Sequence, residues 1–319
     1  MNNNIDISII VPLYNEEEVF SLLIERLTNV IDSCKFNCEV ILVNDGSSDD
    51  TAQLIEGICK KNPRFTGVLL SRNHGHQLAV TAGMAHVRGK KGAMIIDGDL
   101  QDPPELVKEF YELLNDGYDV IYAIRKNRKE SLLKRIAYKY YYRLQKRISS
   151  FNIPIDSGDF SMLSRRVVDA MNAMPEQSRY LRGMRAWVGY KQIGYEYDRD
   201  ERQEGESKYG WRKLFELAFN GIFNFSDFPV RMIAKVGLVT ILLSICYLLY
   251  ILFRKVFFGD VPEGFTATIA AIILFSGVQL LSLGLIGEYV LRIYNQVRNR
   301  PLYVVDKLIQ EGIEKADNN

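Results

Sequence analysis

Ala93-Met94-Ile95-Ile96-Asp97-Gly98-Asp99-Leu100-Gln101-Asp102-Pro103-Pro104 is an apolar run that ends in an acidic turn. The run reads as a buried strand, and the two prolines suit the first turn of a helix that follows it. Two carboxylates one residue apart at a strand's end can hold a hard cation. Oxygen ligands of this kind favour Mg²⁺ or Mn²⁺, which complete their shells with phosphate oxygens and water. On this reading Asp99 binds the metal directly and Asp97 faces a ribose or the metal's outer sphere. Alone, the same residues fit the plainer reading of a polar turn before a helix, so the neighbouring segments decide.

Upstream, strands and helices alternate. Ile5 to Val11 is a β-branched run stopped by Pro12, and Asn15-Glu16-Glu17-Glu18 opens an amphipathic helix through Leu22, Leu23, Leu27 and Val30. Glu39 to Val43 is a second strand, Ser48 to Thr51 caps a helix to Cys59, Thr66 to Leu70 is a third strand, and Gln77 to Val87 a helix. Ala93 to Ile96 and Asp119 to Ala123 add two strands around a helix from Pro104 to Leu114. This alternation predicts a mostly parallel sheet covered on both faces, with ligands at the carboxyl ends of the strands. Pro12 to Glu17, Asn44 to Asp49, Ser71 to Gly75 and Asp97 to Asp102 then share one rim.

The chain has 319 residues, 47% hydrophobic content and a formal net charge of +1, which supports a sizeable core and argues against a nucleic-acid partner. Cys34, Cys38, Cys59 and Cys246 show no disulfide or zinc spacing and read as reduced thiols. His74, His76 and His86 are read as satisfied polar contacts. Met1 to Asp6 is too short and polar for a cleavable signal. The apolar address lies late in the chain: Val236 to Phe253 and Phe265 to Gly287 carry no charge, and each is long enough to cross ~30 Å of hydrocarbon as a helix. Arg212, Lys213, Arg231 and Lys235 precede the first run and Arg292, Arg298, Arg300 and Lys307 follow the second, against Arg254 and Lys255 between them. That asymmetry puts both termini in the cytoplasm, on a multi-pass protein of the cytoplasmic (inner) membrane. Basic and aromatic residues from Leu132 to Ile148, and the apolar stretch from Trp211 to Phe228, suit the headgroup layer, although the first is also compatible with a solvated charged helix.

Pro12-Leu13-Tyr14-Asn15-Glu16, Asn44-Asp45-Gly46-Ser47, Asp97-Gly98-Asp99 and Leu100 to Glu105 occur in an order that resembles the family-2 glycosyltransferases. Downstream, Asp156 to Phe160, Arg179 to Tyr190 and Arg202 to Tyr209 resemble the polyprenyl-phosphate group, which holds the bactoprenol glucosyltransferases and dolichyl-phosphate mannose synthase. The resemblance implies an A-type, nucleotide-sugar-binding α/β domain over residues 1–228, two transmembrane helices over 229–293 and a cytoplasmic tail over 294–319. Pro12, Tyr14, Asn15, Glu16 and Asp45 are expected to line the nucleoside pocket, and Asp97, Asp99 and Gln101 to meet the diphosphate and a Mg²⁺ or Mn²⁺ ion. Asp159 falls on the family's catalytic carboxylate, while Arg125, Arg202, Ser207 and Lys208 are candidates for gripping phosphates. Glu204 and Asn220 depart from the group's usual residues, in the acceptor loop and in the helix leading to the membrane.

The reaction implied is metal-dependent, inverting transfer of a hexose to undecaprenyl phosphate in the bilayer, with UDP-glucose as the expected donor and a homo-oligomer as the expected assembly. GDP-mannose or a UDP-N-acetylhexosamine are the alternative donors, and a non-catalytic membrane scaffold is the rival from another class. An acceptor phosphate is largely deprotonated at neutral pH, its second pKa being ~6, so it needs little base catalysis. A bare carboxylate at Asp159 repels that phosphate unless a cation lies between, with Arg125, Arg202, Lys208 or the metal as candidates. Asp159 is therefore expected to orient cations rather than to accept a proton.

Overall fold

The structure is a computed structural model, and it describes residues 4–125, 157–198, 228–258 and 264–315. These fall into two compact units, one of residues 4–125, 157–198 and 300–315 and one of residues 228–258 and 264–299.

In the first unit, β1 (Ile7–Leu13) and β2 (Cys38–Asn44) are buried along their whole length. Between them α1 (Glu17–Ser33) buries Phe20, Leu23, Leu27, Val30 and Ile31, the helical spacing that lays one apolar face on the sheet. Next come α2 (Thr51–Lys61), β3 (Phe65–Leu70), α3 (His76–Ala85) and β4 (Gly92–Ile95). The helix expected from Pro104 opens as a 3-10 turn over Pro104–Leu106 and becomes α4 (Val107–Asn115), followed by β5 (Val120–Arg125). The remaining elements of this stretch are β6 (Ser157–Ser164), α5 (Arg165–Asn172), α6 (Leu181–Trp187) and β7 (Gln192–Tyr197).

β1 does not stop before Pro12 but runs on to Leu13. The Leu13 carbonyl faces β2, where it accepts the Asp45 N–H, and the Ile10 carbonyl faces β4, where it accepts the Ile96 N–H. Alternation then points Pro12 toward the β4 side, and pairing with β4 ends at Ile10, so the absent proline donor interrupts no ladder bond.

Among the described residues the strands form one sheet in the order β7-β5-β6-β4-β1-β2-β3-β8-β9. Its centre, β4-β1-β2-β3, is parallel. β6 enters antiparallel between β4 and β5, and β5 pairs with β7 in parallel. At the other edge β8 (Val305–Gln310) joins β3 antiparallel and carries β9 (Ile313–Lys315). Residues expected as a tail after the second apolar run thus complete the sheet. Side-chain bonds fasten them: Lys307 Nζ lies 2.8 Å from Glu56, and Glu311 meets Arg88 at 3.0 Å. Arg88 in turn holds the buried Glu39 carboxylate, which also accepts the Ser8 hydroxyl at 2.5 Å.

The second unit consists of α7 (Phe228–Phe258) and α8 (Phe265–Val297), helices of 31 and 33 residues that touch one another. Many of their large apolar side chains face outward, Leu243 at 66% and Leu280 at 70% exposure among them. Over the described side chains alone, no helix is long and apolar enough to cross a membrane. Cys34, Cys38, Cys59 and Cys246 are all free thiols.

Candidate active site

The carboxyl ends of β1, β2, β3 and β4 bring the four rim loops together, as the alternating pattern predicts. Two of these loops are laced by their own polar groups. Asn15, at φ 53°, accepts the Ser48 N–H at 2.8 Å and donates its own N–H to Ser47 Oγ at 3.0 Å. The Glu16 N–H meets Thr51 Oγ1 at 3.0 Å. Gly46 has φ 62°, and a Cβ there would stand 2.2 Å from the Arg72 backbone, so only glycine lets the second and third rim loops approach.

Asp45 is buried, 3% exposed, and its two oxygens accept the backbone N–H groups of His74 at 2.7 Å and Gly75 at 2.9 Å. Burial raises its pKa against those two amides. It therefore shapes the rim by holding the Ser71–Gly75 loop. Tyr14, 40% exposed, stands at the surface of the same rim, and Pro12 is buried behind it.

At the acidic turn, Leu100 takes φ 60° and the Gln101 N–H donates to Asp99 Oδ1 at 3.2 Å. Asp102 is buried and accepts the Tyr197 hydroxyl at 2.6 Å. Arg125, at the end of β5, sits against this pair: burial works against its charge, but Tyr197 and Asp102 outweigh that and raise its pKa.

Sheet register brings the second carboxylate to the first. Ile95 of β4 pairs with Ser161 of β6, so two residues further along the antiparallel ladder Asp97 comes opposite Asp159. His76, the first residue of α3, joins them: its Nε2 is 3.7 Å from Asp97 Oδ1 and 3.5 Å from Asp159 Oδ2. Burial acts to lower the His76 pKa, but Asp159 and Asp97 outweigh it and raise it to about 9. His76 thus makes a satisfied polar contact, as expected for the histidines, and makes it as an imidazolium at neutral pH between two carboxylates. The Asp97 pKa is raised as well, to about 6, through burial and the carboxylates of Asp102, Asp159 and Asp99, partly offset by His76.

Asp159 also receives Arg182 of α6, with Nε to Oδ1 at 2.9 Å and Nη2 to Oδ2 at 3.1 Å, and Gln77 Nε2 donates to Oδ2 at 3.3 Å. Burial would raise this carboxyl, yet Arg182 and His76 hold it well below the usual range. The cations that the sequence reading required beside Asp159 are therefore Arg182 and His76. Arg185, 3% exposed, lies one helical turn on from Arg182 and donates to the Gly158 carbonyl at 3.2 Å, and burial lowers its pKa to about 10. Arg202, Ser207 and Lys208, and the stretches 132–148 and 211–227, lie outside the described residues.

The donor set suits a divalent ion at the acidic turn, because mutual repulsion among Asp97, Asp99, Asp102 and Asp159 is what a cation relieves. Among the described residues no group of three or more His, Cys, Asp or Glu side chains is placed to hold a metal ion by itself. Such an ion would draw its other ligands from diphosphate and water.

An α/β domain with this sheet and an acidic β4 terminus is of the A-type glycosyltransferase class. Residues 8–171 match the family described as Glycosyl transferase family 2, and the chain belongs to it. Residues 228–293 match the GtrB C-terminal hairpin. The chain is 41% identical over 315 residues to an uncharacterized glycosyltransferase of Bacillus subtilis, YkcC, covering 98% of this chain and 97% of that protein. It is 34% identical over 302 residues to a prophage-derived bactoprenol glucosyl transferase of Shigella flexneri, covering 94% of this chain and 97% of that one. Among solved structures, a mannosyltransferase of Pyrobaculum calidifontis in complex with GDP-Man and Mn²⁺ matches with TM-score 0.49 and 17% identity, over 93% of this chain and 87% of that one.

Proposed function

We propose that this chain is a membrane-bound, inverting glycosyltransferase that moves glucose from UDP-glucose to undecaprenyl phosphate. The near full-length similarity to a bactoprenol glucosyl transferase supports the acceptor and the sugar. The observation that carries the chemistry is the pair of fixed cations, His76 and Arg182, on Asp159, across from the acidic end of β4.

Two anions must meet in such a transfer, the acceptor phosphate and the departing diphosphate. Preorganised donors placed where negative charge develops stabilise the transition state without reorganising. Arg182 and His76 are held in that way, and Asp159 fixes their geometry instead of competing for a proton. Asp99, with Asp97 and Gln101, would hold Mg²⁺ or Mn²⁺, which when bound neutralises charge on the leaving diphosphate. Asn15, Glu16 and the loop that Asp45 secures shape the nucleoside side of the rim. Arg125 offers a further guanidinium for phosphate beside Tyr197. Inversion follows from one displacement of an α-linked donor by the phosphate oxygen.

The uncharged runs Val236 to Phe253 and Phe265 to Gly287, set within α7 and α8, support two membrane crossings, and the outward apolar side chains are what lipid would cover. The Lys and Arg bias supports cytoplasmic termini. The test is a panel of radiolabelled nucleotide sugars offered to the purified full-length chain with a short polyprenyl phosphate and Mg²⁺. UDP-glucose should give the fastest transfer. A preference for GDP-mannose or a UDP-N-acetylhexosamine overturns the donor, and nucleotide binding without transfer from any donor favours the scaffold reading.

A further inference from the structure

The geometry points to Gln77 as a positioning residue for Asp159: one side chain ties that carboxylate to the start of α6 and so sets where Arg182 stands. Gln77 Oε1 accepts the Leu181 N–H at 2.9 Å while Nε2 donates to Asp159 Oδ2 at 3.3 Å. Arg182 follows Leu181 in the chain and closes the ring on Asp159 through Nε and Nη2. The ring therefore runs from Gln77 to Asp159, to Arg182, back one residue to Leu181, and to Gln77 again.

The direction of the amide is fixed by chemistry. A backbone N–H only donates, so the oxygen of Gln77 must face Leu181, and an ionised carboxylate only accepts, so the NH₂ must face Asp159. The Leu181 N–H is one of the first-turn donors that a helix cannot satisfy internally, and the N-cap residue, Tyr180, supplies no side-chain bond. Gln77 does so from another element. Both ends of its amide are thereby committed, one to the helix that carries the guanidinium and one to the anion that aims it.

Three separate parts of the sequence are coupled in this way: the first turn of α3, the start of β6 and the start of α6. His76 and Gln77, adjacent in α3, both address Asp159 Oδ2. A guanidinium gripped by two bonds from one carboxylate still pivots with its helix, and the Leu181 bond opposes that pivot. Gln77 touches neither donor nor acceptor in this scheme and acts through Asp159 and Arg182. This inference rests on the proposed role of Asp159 in transfer.

The experiment is a double-mutant cycle of Gln77→Ala and Asp159→Asn in the full-length chain, assayed with whichever nucleotide sugar of the panel turns over fastest, alongside amide exchange at Leu181. Loss of one hydrogen bond to a charged group predicts a fall in kcat of about 10- to 100-fold for Gln77→Ala. The donor KM should stay within about twofold, because the removed contacts are made to protein groups that act on the transition state. In the Asp159→Asn background the same change should cost less than about twofold, since the shared anion is already gone. Gln77→Glu separates the two arms: it keeps an acceptor for Leu181 and loses the donor to Asp159, so it should lower kcat at least as far as Ala while leaving Leu181 protected from exchange. Gln77→Ala should expose that amide. Full additivity in the cycle, a kcat within twofold of wild type for Gln77→Ala, or unchanged Leu181 exchange in that variant overturns the inference. If the wild-type chain turns over no donor, the proposed function fails by itself, and Leu181 exchange still decides whether the bracket exists.

Discussion

Replacing Asp159 by Asn separates an orienting anion from a proton acceptor. Asp159 is 10% exposed and holds Arg182 through contacts of 2.9 and 3.1 Å, with Gln77 at 3.3 Å. Loss of one aimed cation in a transition state costs about 2.7–4 kcal/mol, or about 10²- to 10³-fold in turnover. Because Arg182 is 30% exposed, water screens part of the pair and the lower end of that range is expected. The pH dependence decides the role. With the Asp159 carboxyl held well below the usual range, it stays ionised from pH 5.5 to 8 and does not itself titrate. If it accepted the acceptor's proton, its advantage would fade once the phosphate arrives deprotonated, and with a phosphate pKa of ~6 the ratio of wild-type to mutant turnover would fall about fourfold across that window. An orienting carboxylate predicts a level ratio, or one that rises with pH, because His76 without Asp159 keeps Asp97 but loses part of what raises its pKa and holds its proton less firmly. The assay is initial rate at saturating donor on folded protein, and a fourfold or larger fall refutes the orienting role.

Asp99→Asn removes a charge and an oxygen ligand at the acidic turn, so turnover should fall by several kcal/mol of transition-state stabilisation, with little rescue by excess metal in a Mg²⁺ or Mn²⁺ titration. A chain ending at Phe228 lacks β8 and β9 as well as the hairpin, so it should melt several degrees lower than full-length protein in calorimetry. A chain that keeps residues 300–319 behind a flexible linker in place of 229–299 should recover that stability and bind UDP, yet lose transfer to long-chain acceptor in liposomes. His76, raised from 6.5 to about 9, contributes stability that is full below pH 6.5 and is lost as pH rises through 9. At about 1.4 kcal/mol per pKa unit, discounted for a side chain 32% exposed, urea unfolding without added metal should show a decline of about 2 kcal/mol over that window, flattened in His76→Gln.

The central sheet and its rim were legible because they are local. A β-branched run, a turn with Asn15 or Asp45, and an amphipathic helix recur, and the parallel connection then fixes which strand ends share a rim. Asp97 and Asp99 were visible as an acidic turn at a strand's end, which the family resemblance then singled out, whereas Asp159 was legible only through that resemblance. What brings Asp97 and Asp159 together is the antiparallel register of β6 on β4, a long-range pairing with no signature in either strand alone. His76, Gln77 and Arg182 were missed for the same reason. His76 and Gln77 stand directly after a loop already placed on the rim, and Arg182 lies inside the quoted Arg179 to Tyr190 stretch, but neither position reveals a carboxylate across the sheet. The strand pairing of Val305–Gln310 was missed because a strand near the sheet's edge that carries Asp306 and Lys307 lacks the apolar run of its central neighbours.

The position of β8 in the chain has a consequence for biogenesis. β3 ends at Leu70, and its antiparallel neighbour begins only at Val305, after both long helices. While the ribosome makes everything between, the nascent sheet presents the free backbone edge of β3, a template for stray pairing with other chains. β8, which emerges only after both helices, closes that edge, and Lys307 for Glu56 and Glu311 for Arg88 come with it and the turn that follows. Completion of the sheet is thus reserved for chains whose hairpin has already been synthesised. A product released early, without residues 305–315, keeps the acidic turn and Asp159 but remains open at β3, which marks it for aggregation or proteolysis before it can consume donor.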